Sequence, residues 1–138
     1  SEWAPALHSC LGSKRAFVVY GEDSLDEISI AGKTFVAELK NGNVNEYSIV
    51  PEDFGLKRAK IEDIKGGDAK ENAQIVLSIL KGKKGPKRDI VLMNASAALV
   101  ADGKAKDFNE GIKLAENSID SGAALKKLEL LKQYTHKQ

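Results

Sequence analysis

The sequence is poor in cysteine and histidine, the residues that most often cross-link chains or bind metals. Cys10 is the single cysteine among 138 residues, and the two histidines, His8 and His136, stand near opposite ends of the chain. One cysteine excludes an internal disulfide and favours a reducing, cytoplasmic setting. The separation of the two histidines does not match the ligand spacing of a zinc site.

Long hydrophobic runs and an excess of one charge are also absent. No apolar run approaches the ~20 residues that span a bilayer, and because the first residues lack a charged-then-apolar pattern, we expect no signal segment among them. The net charge of +1 argues against a strongly basic nucleic-acid surface. With 42% hydrophobic and 30% charged residues, the composition is that of a soluble globular domain. We therefore expect no membrane partner and no nucleic acid.

The sequence does not begin with methionine. Residues 2–12, "EWAPALHSCLG", predict the end of a helix that is closed by Gly12. Because the chain opens inside a predicted element, we expect it to be part of a longer protein or a processed product.

Three strands are predicted in the first third of the chain. Arg15 to Tyr20 is a continuous apolar run, which is typical of a strand covered on both faces. Lys33 to Lys40 and Val44 to Val50 flank the dipeptide Asn41-Gly42. An Asn-Gly pair is the strongest local signal for a β-hairpin, because its tight turn needs positive φ at both residues.

Everything after Gly66 is predicted to be helical. Asp68 followed by Glu71, and Asp107 followed by Glu110, have the spacing of helix-capping residues. Between these two helices, another is predicted to begin at Pro86. It is expected to be buried on most sides, because it is apolar almost all round. The last helix is predicted from Ala123 to about Tyr134, with three leucines as its apolar stripe: Leu125, Leu128 and Leu131.

These elements are too few to bury one another. A strand covered on both faces needs neighbours on either side, and an apolar helix needs larger surroundings than short helices provide. We therefore expect an α/β fold that is the C-terminal half of a larger domain: a strand, an acidic loop, a β-hairpin and about four helices. Residues 1–138 would complete a sheet that begins upstream, and the chain by itself would expose a sheet edge and apolar surface.

Four acids follow the first predicted strand within six residues: Glu22, Asp23, Asp26 and Glu27. Two carboxylates ~4 Å apart repel by ~1 kcal/mol in water and ~4 kcal/mol at a protein surface, so the cluster either points into solvent or binds a cation. Ligands of open α/β sheets lie beyond the carboxyl ends of strands, and magnesium prefers one or two carboxylates completed by waters and phosphates. Composition alone favours a solvated turn, and Asp26 with Glu27 is the alternative metal pair.

Two other segments resemble phosphate or nucleic-acid sites, and a structural role is favoured for both. Gly66 and Gly67 precede a predicted helix, but Asp68 at the cap would repel a phosphate. Lys81 to Arg88 carries five cations without the aromatic residues that stack on bases, so an exposed connection is favoured. In the helix that follows, Asn94 and Ser96 are interpreted as satisfied polar groups of the core.

Five blocks of the sequence resemble, in order and spacing, the C-terminal half of anthranilate phosphoribosyltransferase: "SLDEIS", "VAELKNGNVNEYSIVPEDFGL", "GGDAKENAQIVLSIL", "GPKRDIVLMNASAAL" and "AENSIDSGAALKKLELL". The resemblance covers nearly the whole chain. It implies a transferase of tryptophan biosynthesis that moves phosphoribosyl from phosphoribosyl pyrophosphate to anthranilate. It further implies that Asp26 and Glu27 bind Mg²⁺ on the pyrophosphate-bearing substrate, with no catalytic side chain in this chain.

The resemblance also implies what this chain lacks. In the family a glycine-rich loop of the form "GTGGD", the anthranilate-binding residues and a small helical domain used for dimerisation lie upstream. The isolated chain is therefore expected to be inactive and the full-length protein to be a homodimer. Ser24 stands where the family more often has glycine, so a positive φ there would strain the loop. The alternatives are a nucleoside phosphorylase-like enzyme and a non-catalytic relative that binds nucleic acid through basic loops.

Overall fold

Three antiparallel strands form the sheet, in the order in which they occur along the chain. The computed structural model describes residues 12–135. The strands are β1 (Arg15–Gly21), β2 (Thr34–Lys40) and β3 (Asn43–Ile49), and a 3₁₀ turn follows at Pro51–Phe54. The helices are α1 (Ile61–Ile64), α2 (Ala69–Leu80), α3 (Pro86–Ala101), α4 (Phe108–Asp120) and α5 (Ala123–Thr135). The predicted α/β order of strand, loop, hairpin and helices is confirmed.

Several predicted features lie outside the described residues. The predicted N-terminal helix over residues 2–12 does so except for Gly12, and so do Cys10, His8 and His136.

The hairpin turn lies where the sequence predicts it. Asn41 and Gly42 have φ angles of 50° and 80°, the pair of positive values that a tight primed turn requires. The turn sets the register, which pairs Lys40 with Asn43 and Val36 with Tyr47. Since side chains alternate between faces, Val36, Tyr47 and Val19 share one face of the sheet, and Phe35 and Ala37 lie on the other.

The helix starts also follow their local signals. The Asp68 carboxylate accepts a hydrogen bond from the Glu71 amide at 2.8 Å, and the Glu71 carboxylate accepts one from the Asp68 amide at 3.0 Å. This reciprocal pair is the predicted capping box. At α4 the Asp107 carboxylate accepts a hydrogen bond from the Glu110 amide at 2.9 Å, but the Glu110 carboxylate accepts from the Lys106 amide, so this cap is not reciprocal. Helix α3 begins at Pro86.

The main core lies between the inner face of the sheet and helices α3 and α4. Val36 from the sheet and Leu92 and Met93 from α3 are each no more than 2% exposed. Ile112 of α4 completes the same apolar cluster, and Phe108 packs its ring 5.4 Å from that of Phe17. The acidic loop therefore leaves the sheet directly beside α3.

Three burial predictions differ from the structure. β1 is half-buried over most of its length and Tyr20 is 39% exposed, because the described helices pack against the inner face of the sheet and Tyr20 lies on the outer face. Helix α3 buries one broad face but leaves Val91 42% exposed, so it is not covered all round. In α5, Leu125 and Leu128 of the predicted apolar stripe are half-buried, but Leu131 is exposed.

The basic segment before α3 is not wholly solvated as predicted. Arg88 is 2% exposed and donates hydrogen bonds to both carboxylate oxygens of Asp120, at 2.7 and 3.0 Å. A buried guanidinium requires such a partner, because an uncompensated buried charge is strongly unfavourable. The ion pair therefore fixes the start of α3 against the end of α4.

Within residues 12–135, none of the helices has the length and hydrophobicity that crossing a membrane demands.

Candidate functional site in the acidic loop

The acidic loop, residues 22–33, joins β1 to β2 and is closed by its own backbone hydrogen bonds. The Gly21 amide donates to the Leu25 carbonyl at 2.9 Å, and the Ser24 amide donates to the Gly21 carbonyl at 2.9 Å. At the base of the loop the Glu22 amide donates to the Lys33 carbonyl at 2.8 Å. The loop is thus a folded turn anchored at the end of β1.

Two of the four acids maintain this turn. Glu22 accepts a hydrogen bond from the Lys33 amide at 2.7 Å. Asp23 accepts one from the Leu25 amide at 3.2 Å, and its second oxygen accepts one from the Ser29 hydroxyl. The carboxylates of Glu22 and Asp23 therefore accept hydrogen bonds from backbone amides and from a serine hydroxyl inside the loop.

Ser24 lies at the tip of the turn with φ of 68°. This left-handed conformation favours glycine, because a Cβ crowds the following carbonyl group. Ser24 therefore has the positive φ that was considered above, at a position where the family more often has glycine. The loop is closed around it all the same, as the hydrogen bonds of its neighbours show.

Asp26 and Glu27 are the other two acids, and both are exposed. Among residues 12–135 neither side chain forms a hydrogen bond or an ion pair. The pKa of Glu27 is raised, first by its partial burial and then by the negative charges of Asp26 and Asp23. Ionised together, these carboxylates produce a local excess of negative charge that a cation would relieve.

The backbone beyond Glu27 turns inward and is buried. Ile28, Ser29 and Ile30 are each at most 1% exposed. Ser29 donates to Asp23, its amide donates to the Thr34 hydroxyl at 2.9 Å, and its oxygen accepts from the Ala31 amide at 2.9 Å. The backbone that follows the exposed pair is therefore buried and hydrogen-bonded.

Helix α3 contributes Asn94 to the loop. From the sequence this residue was interpreted only as a polar group of the core. Asn94 accepts a hydrogen bond from the Ile28 amide at 2.9 Å and donates one to the Ile28 carbonyl at 3.0 Å. The available signal was a polar residue in an apolar helix. That pattern predicts a satisfied amide, which is confirmed, but it does not indicate which backbone satisfies the amide.

The donor set of the loop suits magnesium better than a softer metal. Among the described residues no group of three or more histidine, cysteine, aspartate or glutamate side chains is placed to enclose an ion. Two adjacent carboxylates with open surroundings match the magnesium preference for hard oxygen ligands, completed by waters and substrate phosphates. The residues present therefore fit such an ion.

The glycine pair before α2 does not form a free phosphate cradle. The Gly67 amide donates to the Asn72 side-chain oxygen at 2.9 Å, and the Asp68 and Glu71 amides are held by the capping box. The structural interpretation of this segment is confirmed.

A shallow groove of about 380 Å³ lies on the outer face of the sheet. Phe35, which is 49% exposed, and Tyr20 contribute to its lining, together with Val18 and Ala37. The groove is lined mainly by apolar and aromatic residues, with Glu46 as the single carboxylate of its lining, so the acidic loop with its four carboxylates is the better candidate for chemistry.

Comparison with known proteins places the chain in a family. The model of the "Glycosyl transferase family, a/b domain" matches residues 2–125, so the chain belongs to this glycosyl transferase family. Relatives that it matches include anthranilate phosphoribosyltransferases, as the resemblance of the sequence blocks implied. The one from Thermoanaerobacter sp. (strain X514) is 56% identical over 124 residues, which are 90% of this chain and 37% of the relative.

Other relatives and solved structures agree. The anthranilate phosphoribosyltransferase of Methanobrevibacter smithii is 52% identical over 91% of this chain and 38% of its own length. The crystal structure of the Thermus thermophilus enzyme superposes with a TM-score of 0.81 and 38% identity, over 93% of this chain and 38% of that one. The Saccharomyces cerevisiae enzyme in complex with PRPP and Mg superposes with a TM-score of 0.80 and 31% identity, over 94% and 38%.

The chain thus spans a little over a third of the length of the curated relatives it matches, 37% and 38% in the two quoted.

Proposed function

We propose that this chain is the C-terminal portion of the α/β catalytic domain of an anthranilate phosphoribosyltransferase. The full-length protein would transfer phosphoribosyl from phosphoribosyl pyrophosphate to the amine of anthranilate, in tryptophan biosynthesis. The proposal is supported by relatives of that name at 52% and 56% identity. The observation that carries it is the exposed, unpartnered pair Asp26 and Glu27, on a loop whose other acids hold the backbone.

Asp26 and Glu27 would hold Mg²⁺ on the pyrophosphate of the substrate. A bound magnesium ion would stabilise, as a Lewis acid, the negative charge that develops on the leaving pyrophosphate. A homologous enzyme has been solved with PRPP and Mg, which supports this choice of ion.

The residues of this chain would contribute by position and charge. Glu22 and Asp23 hold the turn by hydrogen bonds, and the segment after Glu27 is buried. Asp26 and Glu27 then present two carboxylates at a fixed place, which avoids reorganisation when charge develops on the substrate. No proton transfer is assigned to a side chain of this chain.

The remaining partners follow from the same proposal. The Saccharomyces cerevisiae enzyme has been solved in complex with 4-fluoroanthranilate, which supports anthranilate as the acceptor. A homodimer is expected for the full-length protein, through a helical domain upstream of this chain. The predicted cytoplasmic location and the expected absence of nucleic-acid binding remain predictions.

Neither alternative function gains support from a specific feature. A nucleic-acid-binding relative would need the cations of the basic segment free, but Arg88 is buried against Asp120 and Lys87 donates to the Lys65 carbonyl. A nucleoside phosphorylase would share the general fold, but the named relatives are anthranilate phosphoribosyltransferases.

The decisive experiment removes both carboxylate charges in the full-length protein. We expect Asp26→Asn with Glu27→Gln to lower kcat/KM for phosphoribosyl-anthranilate formation by at least about 100-fold, since charge stabilisation of this kind is worth that much. The melting temperature should stay the same or rise, because two like charges are removed from one loop.

A matched control removes two exposed carboxylates elsewhere. Glu62→Gln with Asp102→Asn changes the net charge equally and lies outside the acidic loop. Its kcat/KM should be within a factor of two or three of the parent. Activity that survives the loop substitutions would rule out the metal assignment.

A further inference from the structure

Ile28 directly follows the proposed metal pair, and its backbone is buried without a strand partner. The residue is 1% exposed and lies in irregular structure between β1 and β2. A buried amide and carbonyl must be paired, because each costs free energy when it is left without a hydrogen bond. The chain thus needs one group at this point that both donates and accepts.

Asn94 supplies both functions from a residue 66 positions away. Its Oδ1 accepts from the Ile28 amide at 2.9 Å and its Nδ2 donates to the Ile28 carbonyl at 3.0 Å. A carboxamide side chain carries both a donor and an acceptor without being charged, so one side chain can bind the N–H and the C=O of Ile28 at once. The contact therefore fixes the position and the orientation of the Ile28 peptide groups.

The amide of Asn94 is itself held in place. Its Nδ2 also donates to the Ile90 carbonyl one turn earlier in α3, at 3.0 Å. The neighbours Leu92 and Met93 anchor this part of α3 in the core, with exposures of 1% and 2%. Asn94 thus binds Ile28 of the loop to a well-packed part of α3.

The exposed pair lies between two pinned points of the backbone. On one side the Leu25 carbonyl is bound to the Gly21 amide at 2.9 Å, and on the other side Asn94 holds Ile28. Only Asp26 and Glu27 separate these points. Their freedom to move relative to α3 is therefore limited by the Asn94 contact.

We propose that Asn94 is a positioning residue for the Asp26–Glu27 pair: it holds the adjoining backbone so that both carboxylates present their oxygens to one cation. This inference rests on the proposed function, since it assigns Asn94 a role in magnesium binding at the same loop. Residues that orient metal ligands typically change metal affinity by about 10- to 100-fold when they are replaced.

The test measures binding, in the full-length protein. The affinity for phosphoribosyl pyrophosphate is determined by titration calorimetry with and without Mg²⁺, and the ratio of the two affinities reports the contribution of the metal. Asn94→Leu keeps the side-chain volume but removes every hydrogen bond, whereas Asn94→Ala leaves room for a water molecule. We expect the ratio to fall about tenfold or more in Asn94→Leu, and less in Asn94→Ala.

Hydrogen exchange provides a second readout, which does not depend on substrate. The Ile28 amide should exchange faster in both Asn94 variants. Asp120→Asn is the control, because it breaks the ion pair between Arg88 and Asp120, whose hydrogen bonds do not involve the acidic loop. That control should lower stability but leave both the magnesium ratio and the Ile28 exchange rate unchanged.

The outcomes separate the two proposals. If Asp26→Asn with Glu27→Gln abolishes the magnesium effect and both Asn94 variants keep the ratio within twofold of the parent, the metal assignment stands and the role of Asn94 is wrong. If the carboxylate variants leave the ratio unchanged, the metal assignment is wrong and the positioning role falls with it. Parent-like exchange at Ile28 in Asn94→Leu would also overturn the inference.

Discussion

Ser24 occupies a backbone conformation that normally belongs to glycine, with φ of 68° at the tip of the acidic loop. Its neighbours keep it there: the Ser24 amide donates to the Gly21 carbonyl, and Glu22 and Asp23 bind the ends of the turn. Serine is small enough to be tolerated at this φ, but a β-branched side chain is not.

A β-branched residue at this position should therefore destabilise the protein. We expect Ser24→Val to lower the free energy of unfolding by about 1–2 kcal/mol relative to Ser24→Gly, the cost of a left-handed conformation. Urea denaturation of the two variants measures the difference. Ser48→Val, at an exposed position of β3, is the control and should cost nothing, since strands favour valine. Equal stability of the two Ser24 variants would contradict this account of the loop.

Arg88 and Asp120 form a charged pair in which one partner is buried and the other is largely exposed. The hydrogen bonds from Arg88 lower the pKa of Asp120 below its ordinary value. A lowered carboxyl pKa stabilises the folded state above the pKa of the unfolded chain, about 4, and this stabilisation is lost as the pH falls through the folded-state pKa.

The difference in stability between the parent and Asp120→Asn should consequently depend on pH. At pH 7 the parent should have the higher urea midpoint, because the variant leaves the Arg88 charge without its counter-ion. Below about pH 4 the two midpoints should converge, as Asp120 becomes protonated in the parent. If the difference between the two urea midpoints stayed constant from pH 7 to pH 3, the ion pair would not be the source of that difference.

At the scale of elements, α3 and α4 pack closely at a glycine. A Cβ on Gly111 of α4 would come within 2.8 Å of the Ser96 Cβ and 2.9 Å of the Ser96 backbone in α3. Both residues are buried, so neither helix can move aside without opening the core that they share with the sheet. This close approach fixes α3, which carries Asn94, against α4.

Gly111→Ala should therefore destabilise the protein although alanine favours helices. Overpacking of this kind costs about 1–3 kcal/mol, while helix propensity returns up to about 1 kcal/mol. The expected net result is a lower melting temperature. The control on the exposed side of the same helix, Ser118→Ala, should melt at the temperature of the parent or higher. If Gly111→Ala also melted higher, the two helices would not be in tight contact.

At the scale of the whole molecule, the described residues form one layer of helices on one face of a small sheet. β1 has a single strand neighbour among them, and Tyr20 and Phe35 are 39% and 49% exposed on the outer face. The matching relatives are more than twice as long as this chain. We therefore propose that the loop supplies one part of an active site and that other parts of the full-length protein supply the rest.

The isolated 138-residue chain is expected to be inactive. At the one glycine-rich helix start that resembled a phosphate cradle, the Gly67, Asp68 and Glu71 amides already donate to side chains of the same segment, and the Asp68 carboxylate at the cap would repel a phosphate. An assay for phosphoribosyl-anthranilate should find no product from the purified chain, under conditions in which the full-length protein turns over. Product formation by the chain alone, retained after repurification, would refute the proposed division of the site.

Features set by neighbours in the chain were predictable from the sequence. The hairpin follows from Asn41 and Gly42, the helix starts follow from Asp68 and Asp107, and the acidic loop follows from the end of an apolar run. Each of these depends on backbone preferences or on hydrogen bonds over a few residues, which the order of amino acids determines directly.

Only the tertiary structure decided how the four acids divide their roles. Glu22 binds the Lys33 amide across the loop and Asp23 binds Ser29, which leaves Asp26 and Glu27 exposed. Asn94 reaches Ile28 from 66 residues away, and Arg88 reaches Asp120 from 32. No local pattern encodes such contacts, because they exist only after the sheet and the helices have packed and buried polar groups must find their partners wherever the fold places them.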